Sequence, residues 1–138
     1  MKKLPILFTI SLAILSWETT PASASKIDPT PVDCWFLRNG ELKLTQTCTF
    51  SGHSWSGGGF SVLTWEDGVK TVIAFGLQGR GERPCPEVGV DGVCGEWRYR
   101  HPITFEPLSD SELNIRRRNA LDVIQCVDVN HNSVCWHY

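Results

Sequence analysis

The residues best suited to chemistry or recognition lie in residues 51–59, SGHSWSGGG, where one tryptophan and one histidine stand among serines and glycines. A tryptophan ring provides rigid contact area and serine hydroxyls form adaptable hydrogen bonds, so this composition is typical of a recognition surface. The candidate binding residues are Ser51, Gly52, His53, Ser54, Trp55 and Ser56. The competing interpretation is a flexible connector whose tryptophan folds back onto the core.

Part of this segment is close to a hydrolase motif. Residues 52–56, GHSWS, resemble the G-x-S-x-G nucleophile elbow of lipases, but serine stands at the closing glycine position. That elbow also needs a strand-turn-helix setting in a much larger sheet. We therefore predict a protein that is not an enzyme and has no catalytic residue, with a small secreted hydrolase kept as an alternative.

A second likeness extends over residues 51–65. The segment SGHSWSGG, followed by LTW at 63–65, resembles the S-G-x-x-Y loop of periplasmic C-type lysozyme inhibitors. Trp55 stands in place of the tyrosine, and the cysteine layout differs from that family. In the inhibitors a small disulfide-linked β-barrel inserts this loop into the lysozyme active-site cleft. The resemblance implies an inhibitory edge formed by Ser51, Gly52 and Trp55.

The residue types predict neither a metal nor a cofactor. The cysteines include no C-x-x-C pair, and the histidines at 53, 101, 131 and 137 share no zinc spacing. Residues 128–132, DVNHN, resemble the start of an EF-hand loop, but serine replaces the glycine and the final glutamate is missing. Residues 25–138 keep 11 of the basic and 14 of the acidic side chains, a formal charge of 11 − 14 = −3. That charge argues against a nucleic-acid partner.

The first 24 residues predict a signal peptide. Lys2 and Lys3 precede an apolar stretch at residues 4–15, and Ala22-Ser23-Ala24 is a suitable cleavage site. The apolar stretch is shorter than the ~20 residues of a membrane-spanning helix, and no later segment qualifies. We therefore expect an exported protein, periplasmic or extracellular, without a transmembrane segment.

The cysteines predict three disulfides. They stand at Cys34, Cys48, Cys85, Cys94, Cys126 and Cys135, an even number in an exported chain. The pairs 85–94 and 126–135 each enclose eight residues around a possible two-residue turn, at 89–90 and 130–131. The pair 34–48 follows by elimination and requires a β-bulge, because the turn at 39–40 otherwise places the two cysteines on opposite faces.

Turn signals predict the elements that must position these residues. Asn-Gly at 39–40 and Asp-Gly at 67–68 each separate two apolar runs, as in β-hairpins with two-residue turns. The first turn pairs Leu37 with Leu42 and Trp35 with Leu44, whereas the second sets Phe60 opposite Phe75.

One helix is predicted at 110–118, because Ser109 and Glu112 form a capping box and three arginines fill the last turn. Residues 25–33 are expected to be an extended N-terminal arm, and residues 34–138 a single domain. The predicted fold is mostly β: a small disulfide-stapled antiparallel sheet or open barrel built from hairpins.

These features favour an exported, non-catalytic binding module. Its partner is expected to be a glycan or another extracytoplasmic protein, contacted through residues 51–59. Inhibition of a cell-wall-degrading enzyme is the alternative within binding. A structural envelope protein without a soluble ligand is the alternative of another class.

Overall fold

The computed structural model describes residues 24–79 and 82–138, so the predicted signal peptide lies outside the described residues except for Ala24. Within this part of the chain the fold is a closed antiparallel barrel of eight strands in chain order, with one short helix. The elements are β1 Ser25–Arg38, β2 Glu41–Trp55, β3 Gly58–Thr64, β4 Lys70–Gly76, β5 Val88–Val90, β6 Val93–Arg100, α1 Asp110–Arg118, β7 Ile124–Val129 and β8 Asn132–His137. The predicted mostly-β fold is confirmed, and pairing of β1 with β8 closes the barrel.

Residues 25–33, which the sequence predicts to be an extended N-terminal arm, form the first part of β1. They pair with β2 from Ser25 opposite Ser54 onward. The register shifts between Ile27 and Thr30, around Pro29, which has no N–H to donate to the ladder. The sequence assigns no partner to this extended segment, and the length of β2 gives it backbone partners.

The first hairpin has the predicted turn and the predicted bulge. Asn39 and Gly40 both have positive φ, 52° and 76°, as a two-residue type I′ turn requires. Leu37 lies opposite Leu42 as expected, but the register then shifts, so that Trp35 lies opposite Thr45 and not Leu44. This shift brings Cys34 and Cys48 onto the same inner face, where both are buried and joined by a disulfide.

The hairpin between β3 and β4 has a register one residue away from the predicted one. Trp65 N–H donates to the Val69 carbonyl, which closes a three-residue loop with Gly68 at φ 84°. Phe60 therefore lies opposite Ala74 and not Phe75. A glycine with positive φ fits a three-residue loop as well as a two-residue one, and the sequence signal does not separate them.

The other two disulfides join the predicted pairs by different geometries. Cys126 and Cys135 are opposite each other across β7 and β8, as the turn at 130–131 predicts. Cys85 precedes β5 and reaches Cys94 from outside the ladder, because the turn of that hairpin is at Asp91-Gly92 and not at 89–90.

The apolar side chains form two cores. The larger core fills the barrel and contains Val127 among its buried residues, with Val134 packed against it. Side chains alternate along a strand, so Cys126 and Cys135 face outward. They join Leu37 and Ile124 in a smaller core, against which Trp35 and Phe105 pack. The disulfide 126–135 thus stabilises the outer wall, whereas 34–48 stabilises the interior.

Helix α1 has the bounds and the capping box that the sequence predicts. Ser109 Oγ accepts from the Glu112 N–H at 3.2 Å, and the Ser109 N–H donates to Glu112 Oε2 at 2.9 Å. Asn119 forms the C-cap. The pKa of the Glu112 carboxyl is lowered, first by the hydrogen bond from the Ser109 backbone N–H. The charged carboxylate is therefore favoured in the folded state.

We expect Ser109→Ala to lower the free energy of unfolding by about 1 kcal/mol, because it removes the side-chain acceptor of an otherwise unpaired helical N–H. Asn114→Ala, in the same helix but remote from the cap, should change stability little. Because the pKa of Glu112 is lowered on folding, its contribution is present at neutral pH and is lost as the pH falls through that pKa. Denaturant unfolding at pH 7 and pH 3 should therefore show that the contribution of the cap to the free energy of unfolding of wild type is lost in acid. If Ser109→Ala and Asn114→Ala lower the free energy of unfolding equally at pH 7, the cap assignment is contradicted.

Candidate functional site

Residues 51–59 form the tip of a β-hairpin and not a loop. Strand β2 continues through Trp55, which lies opposite Gly58 at the start of β3. Only Ser56 and Gly57 form the turn, and Gly57 has a φ of 86° that favours glycine. These residues are therefore mostly strand, and the glycine-rich composition serves backbone geometry within a strand pair.

The glycines are required by a close approach between two backbones. A Cβ atom at Gly58 would clash with the Leu77 carbonyl oxygen, and one at Gly76 would clash with the Gly57 carbonyl oxygen. The Leu77 N–H donates to that same Gly57 carbonyl at 2.8 Å. The segment that follows β4 is thus packed directly against the hairpin tip, which holds the tip in one conformation.

Three aromatic rings lie together on the outer face of this hairpin, and we call His53, Trp55 and Phe60 the hairpin-tip cluster. Their ring centroids are 6.0 to 6.1 Å apart in each pair, with His53 and Phe60 stacked. Trp55 is half-buried, and its Nε1–H donates to the Leu77 carbonyl at 3.0 Å. Phe60 is 36% exposed. The cluster is therefore a fixed aromatic surface that is partly open to solvent.

The same end of the barrel contains a cavity of about 600 Å³, which we call the barrel-end cavity. Its lining comes from seven of the eight strands and the residue that follows β8. Its lining includes the aromatic side chains of Phe50, Phe75, Trp97, Tyr99, Trp136 and Tyr138. Partial burial raises the pKa of the Tyr138 phenol. His53 and Phe60 also border the cavity, so it is continuous with the hairpin-tip cluster.

Polar groups are few among the described residues that line the cavity. Ser25, Ser54, Ser61 and Gln125 contribute hydroxyl and amide groups, and no Lys, Arg, Asp or Glu is among the lining residues. Trp136 is 3% exposed, and its Nε1–H is buried without a hydrogen-bond partner. The cavity is thus an aromatic chamber with a small number of donors and acceptors.

The predicted site residues are divided between the two faces of the hairpin. Gly52, His53 and Ser54 line the cavity, whereas Ser51, Trp55 and Ser56 do not. Side-chain alternation along β2 places Gly52 and Ser54 on the inner side of the barrel wall and Ser51, His53 and Trp55 on the outer side, so His53 borders the cavity while belonging to the outer cluster. Sequence reasoning missed the six aromatic residues of the cavity, since they come from separate strands and leave no local motif. Their only signal was the abundance of tryptophan.

A smaller cavity of about 350 Å³ lies at the opposite end, next to the turns that follow β3 and β5. Apolar side chains such as Phe36 and Trp65 line it, with Asp67 and Asp91 among its residues. Both carboxylates already accept backbone hydrogen bonds, from Val69 and Val72 respectively. Among residues 24–79 and 82–138, no three His, Cys, Asp or Glu side chains converge in a way that suits a metal ion.

The fold and the cavity define a class: a small disulfide-linked, closed antiparallel β-barrel with an aromatic chamber at one end. Barrels of eight strands are wide enough either to be filled by side chains or to hold one small ligand. Three disulfides are typical of a protein outside the reducing cytosol. Among the described residues, no helix has the length and hydropathy needed to cross a membrane.

The chain matches no protein-family model, and comparison with curated proteins and with solved structures gives no significant match.

Proposed function

We propose that this chain is an exported, non-catalytic binding protein, periplasmic or extracellular, that contacts a neutral glycan through the hairpin-tip cluster. The observation that carries the proposal is the group of three rings within about 6 Å of one another on an outer face. The C–H faces of a sugar are apolar and pack on the electron-rich faces of aromatic rings. Because Trp55 is held by Leu77, little conformational entropy is lost on binding.

The charge of the hairpin tip favours a neutral partner. Residues 51–60 contain no Lys, Arg, Asp or Glu. Lys26 lies opposite His53 on β1, and its ammonium group is paired with the Asp28 carboxylate at 3.8 Å. Ser51, His53 and Trp55 are two residues apart along β2, so their side chains share one face of the strand. Ser51 and His53 provide hydroxyl and imidazole groups for sugar hydroxyls. A neutral polysaccharide with exposed apolar ring faces matches this combination.

Retention on insoluble chitin and cellulose tests the proposal. The oxidised protein should bind at least one of the two. Trp55→Leu, which keeps apolar bulk but removes the ring, should weaken binding by about 10-fold, the effect of losing one aromatic hot spot. Ile115→Ser is the matched control, because Ile115 is 56% exposed on the remote helix α1. No retention of wild type, or equal retention of both variants, would contradict the proposal.

A second candidate is inhibition of a cell-wall-degrading enzyme, which the ordered hairpin tip favours. Protease inhibitors and similar proteins insert a preformed edge, since rigidity in the free state reduces the entropic cost of binding. The test is the lytic rate of a C-type lysozyme mixed with equimolar protein at micromolar concentration. Inhibition that is lost in Trp55→Leu would favour this candidate over glycan binding, and an unchanged lytic rate would eliminate it. A structural envelope protein would show neither activity.

A further inference from the structure

The barrel-end cavity has the size of a small-molecule site. Its volume of about 600 Å³ lies within the range of ~300–1,000 Å³ that is typical of ligand pockets. It is also lined as such sites are, by aromatic side chains with a few polar groups. Strands β2, β3, β4, β6 and β8 and the residue that follows β8 contribute its aromatic rings, so the surrounding barrel holds those rings in place.

The lining decides the charge of a suitable ligand. Among the described residues that line the cavity there is no Arg or Lys side chain to pair with a carboxylate or phosphate, and no Asp or Glu side chain to pair with an ammonium group. An unpaired ion in such surroundings is strongly disfavoured. The rings of Phe50, Phe75 and Trp97 instead offer dispersion contacts to an apolar or aromatic body.

The buried indole N–H of Trp136 indicates which polar group a suitable ligand carries. Trp136 is almost fully buried and lines the cavity, and its indole N–H has no acceptor within the described structure. Buried donors in native proteins are nearly always hydrogen-bonded, so this N–H requires an explanation. Stacking against Phe50 and an edge contact with Trp97 hold the Trp136 ring in place.

We infer that the barrel-end cavity binds an uncharged, largely apolar small molecule whose single hydrogen-bond acceptor, a carbonyl or ether oxygen, accepts from Trp136 Nε1–H. The rings of the cavity enclose the apolar body, and the serine hydroxyls and the Gln125 amide lie on its lining as further polar contacts. This site adjoins the glycan contact proposed above, because His53 and Phe60 border both, whereas Trp55 belongs to the glycan contact alone and does not line the cavity.

The experiment uses three naphthalene probes with the oxidised protein. The first, 6-propionyl-2-dimethylaminonaphthalene, is uncharged, fluorescent and carries a ketone acceptor. The second, 2-propylnaphthalene, lacks the acceptor, and the third, 2-naphthoate, is an anion. We expect saturable one-to-one binding of the ketone, about 10-fold weaker binding of the hydrocarbon, and weaker binding still of the anion. In a proton–nitrogen correlation spectrum, the ketone should shift the Trp136 indole N–H resonance more than that of Trp55.

Two variants make the result specific to this cavity. Trp136→Phe keeps a ring but removes the N–H, so it should reduce ketone affinity about 10-fold and leave hydrocarbon affinity unchanged. Ser61→Phe places a ring in the cavity and should abolish binding of both, which remains testable if Trp136→Phe does not fold. Ketone binding that survives Ser61→Phe, anion binding as tight as ketone binding, or no saturable binding of the ketone would overturn the inference.

The same probes separate this inference from the glycan proposal. Trp55→Leu should retain ketone affinity while losing glycan retention. Loss of glycan retention alone therefore leaves the cavity site intact, and failure of the ketone to bind leaves the glycan proposal intact.

Discussion

Replacing Cys34 and Cys48 together by alanine is expected to lower the free energy of unfolding by about 4 kcal/mol, the largest effect of any change considered for this protein. Their disulfide closes a loop with a sequence separation of 14, worth roughly 3 kcal/mol by the chain-entropy model. Both sulfurs also lie in the barrel core, at 0% and 1% exposure, so their removal leaves a packing defect of about 1 kcal/mol. Guanidinium unfolding followed by tryptophan fluorescence measures the difference.

The matched control is the double replacement of Cys85 and Cys94. That disulfide has a sequence separation of 9, so loop closure is worth nearly as much, about 2–3 kcal/mol. Cys94 is exposed and Cys85 is half-buried, however, so little packing is lost. Replacing Cys34 and Cys48 should therefore lower the free energy of unfolding by about 1 kcal/mol more than replacing Cys85 and Cys94. An equal cost for the two pairs would mean that the inner disulfide contributes nothing beyond loop closure.

Gly58→Ala is expected to lower the free energy of unfolding by about 3 kcal/mol, although it adds only one methyl group. The new Cβ would overlap the Leu77 carbonyl, and the neighbouring atom is backbone that cannot move aside cheaply. Displacement of Leu77 would also strain the hydrogen bond between its carbonyl and Trp55 Nε1. The variant should therefore show both lower stability and a changed Trp55 indole resonance.

Gly40→Ala separates this clash from the usual cost of replacing glycine. Gly40 has a φ of 76°, but a Cβ there meets no atom within 4 Å, so only backbone strain of about 1 kcal/mol is expected. The two variants also distinguish an ordered hairpin tip from a flexible connector. If residues 51–59 were flexible, Gly58→Ala would cost no more than Gly40→Ala, and the hairpin-tip cluster would lose its structural basis.

Local signals predicted several elements correctly, because the interactions that determine them are close in sequence. Helix α1 begins and ends where its capping box and Asn119 indicate, and the Asn39-Gly40 turn is where its positive φ values require. The disulfide between Cys126 and Cys135 follows from a two-residue turn and strand alternation. The bulge in the first hairpin was also predictable, because without it Cys34 and Cys48 would lie on opposite faces and could not form a disulfide.

Other features depend on competition between nearly equal local choices. Asp67-Gly68 fits a turn of two or three residues, and the structure has the longer one, which moves Phe60 to the outer face. The glycines at 57–59 indicate flexibility in an isolated segment, but in the barrel they permit the close approach of Leu77. These alternatives differ only in contacts with other strands, which no short stretch of sequence contains.

The sequence by itself determined a mostly β domain with three predictable disulfides, one capped helix and an aromatic segment worth testing. Only the tertiary structure decided that the sheet closes, that residues 51–59 are a rigid hairpin tip, and that Trp97, Trp136 and Tyr138 meet around a cavity. The physical reason is the range of the interactions. Turns, caps and short disulfide loops are fixed by neighbours along the chain, whereas closure of β1 on β8 and the cavity between distant strands are fixed by packing across the whole barrel.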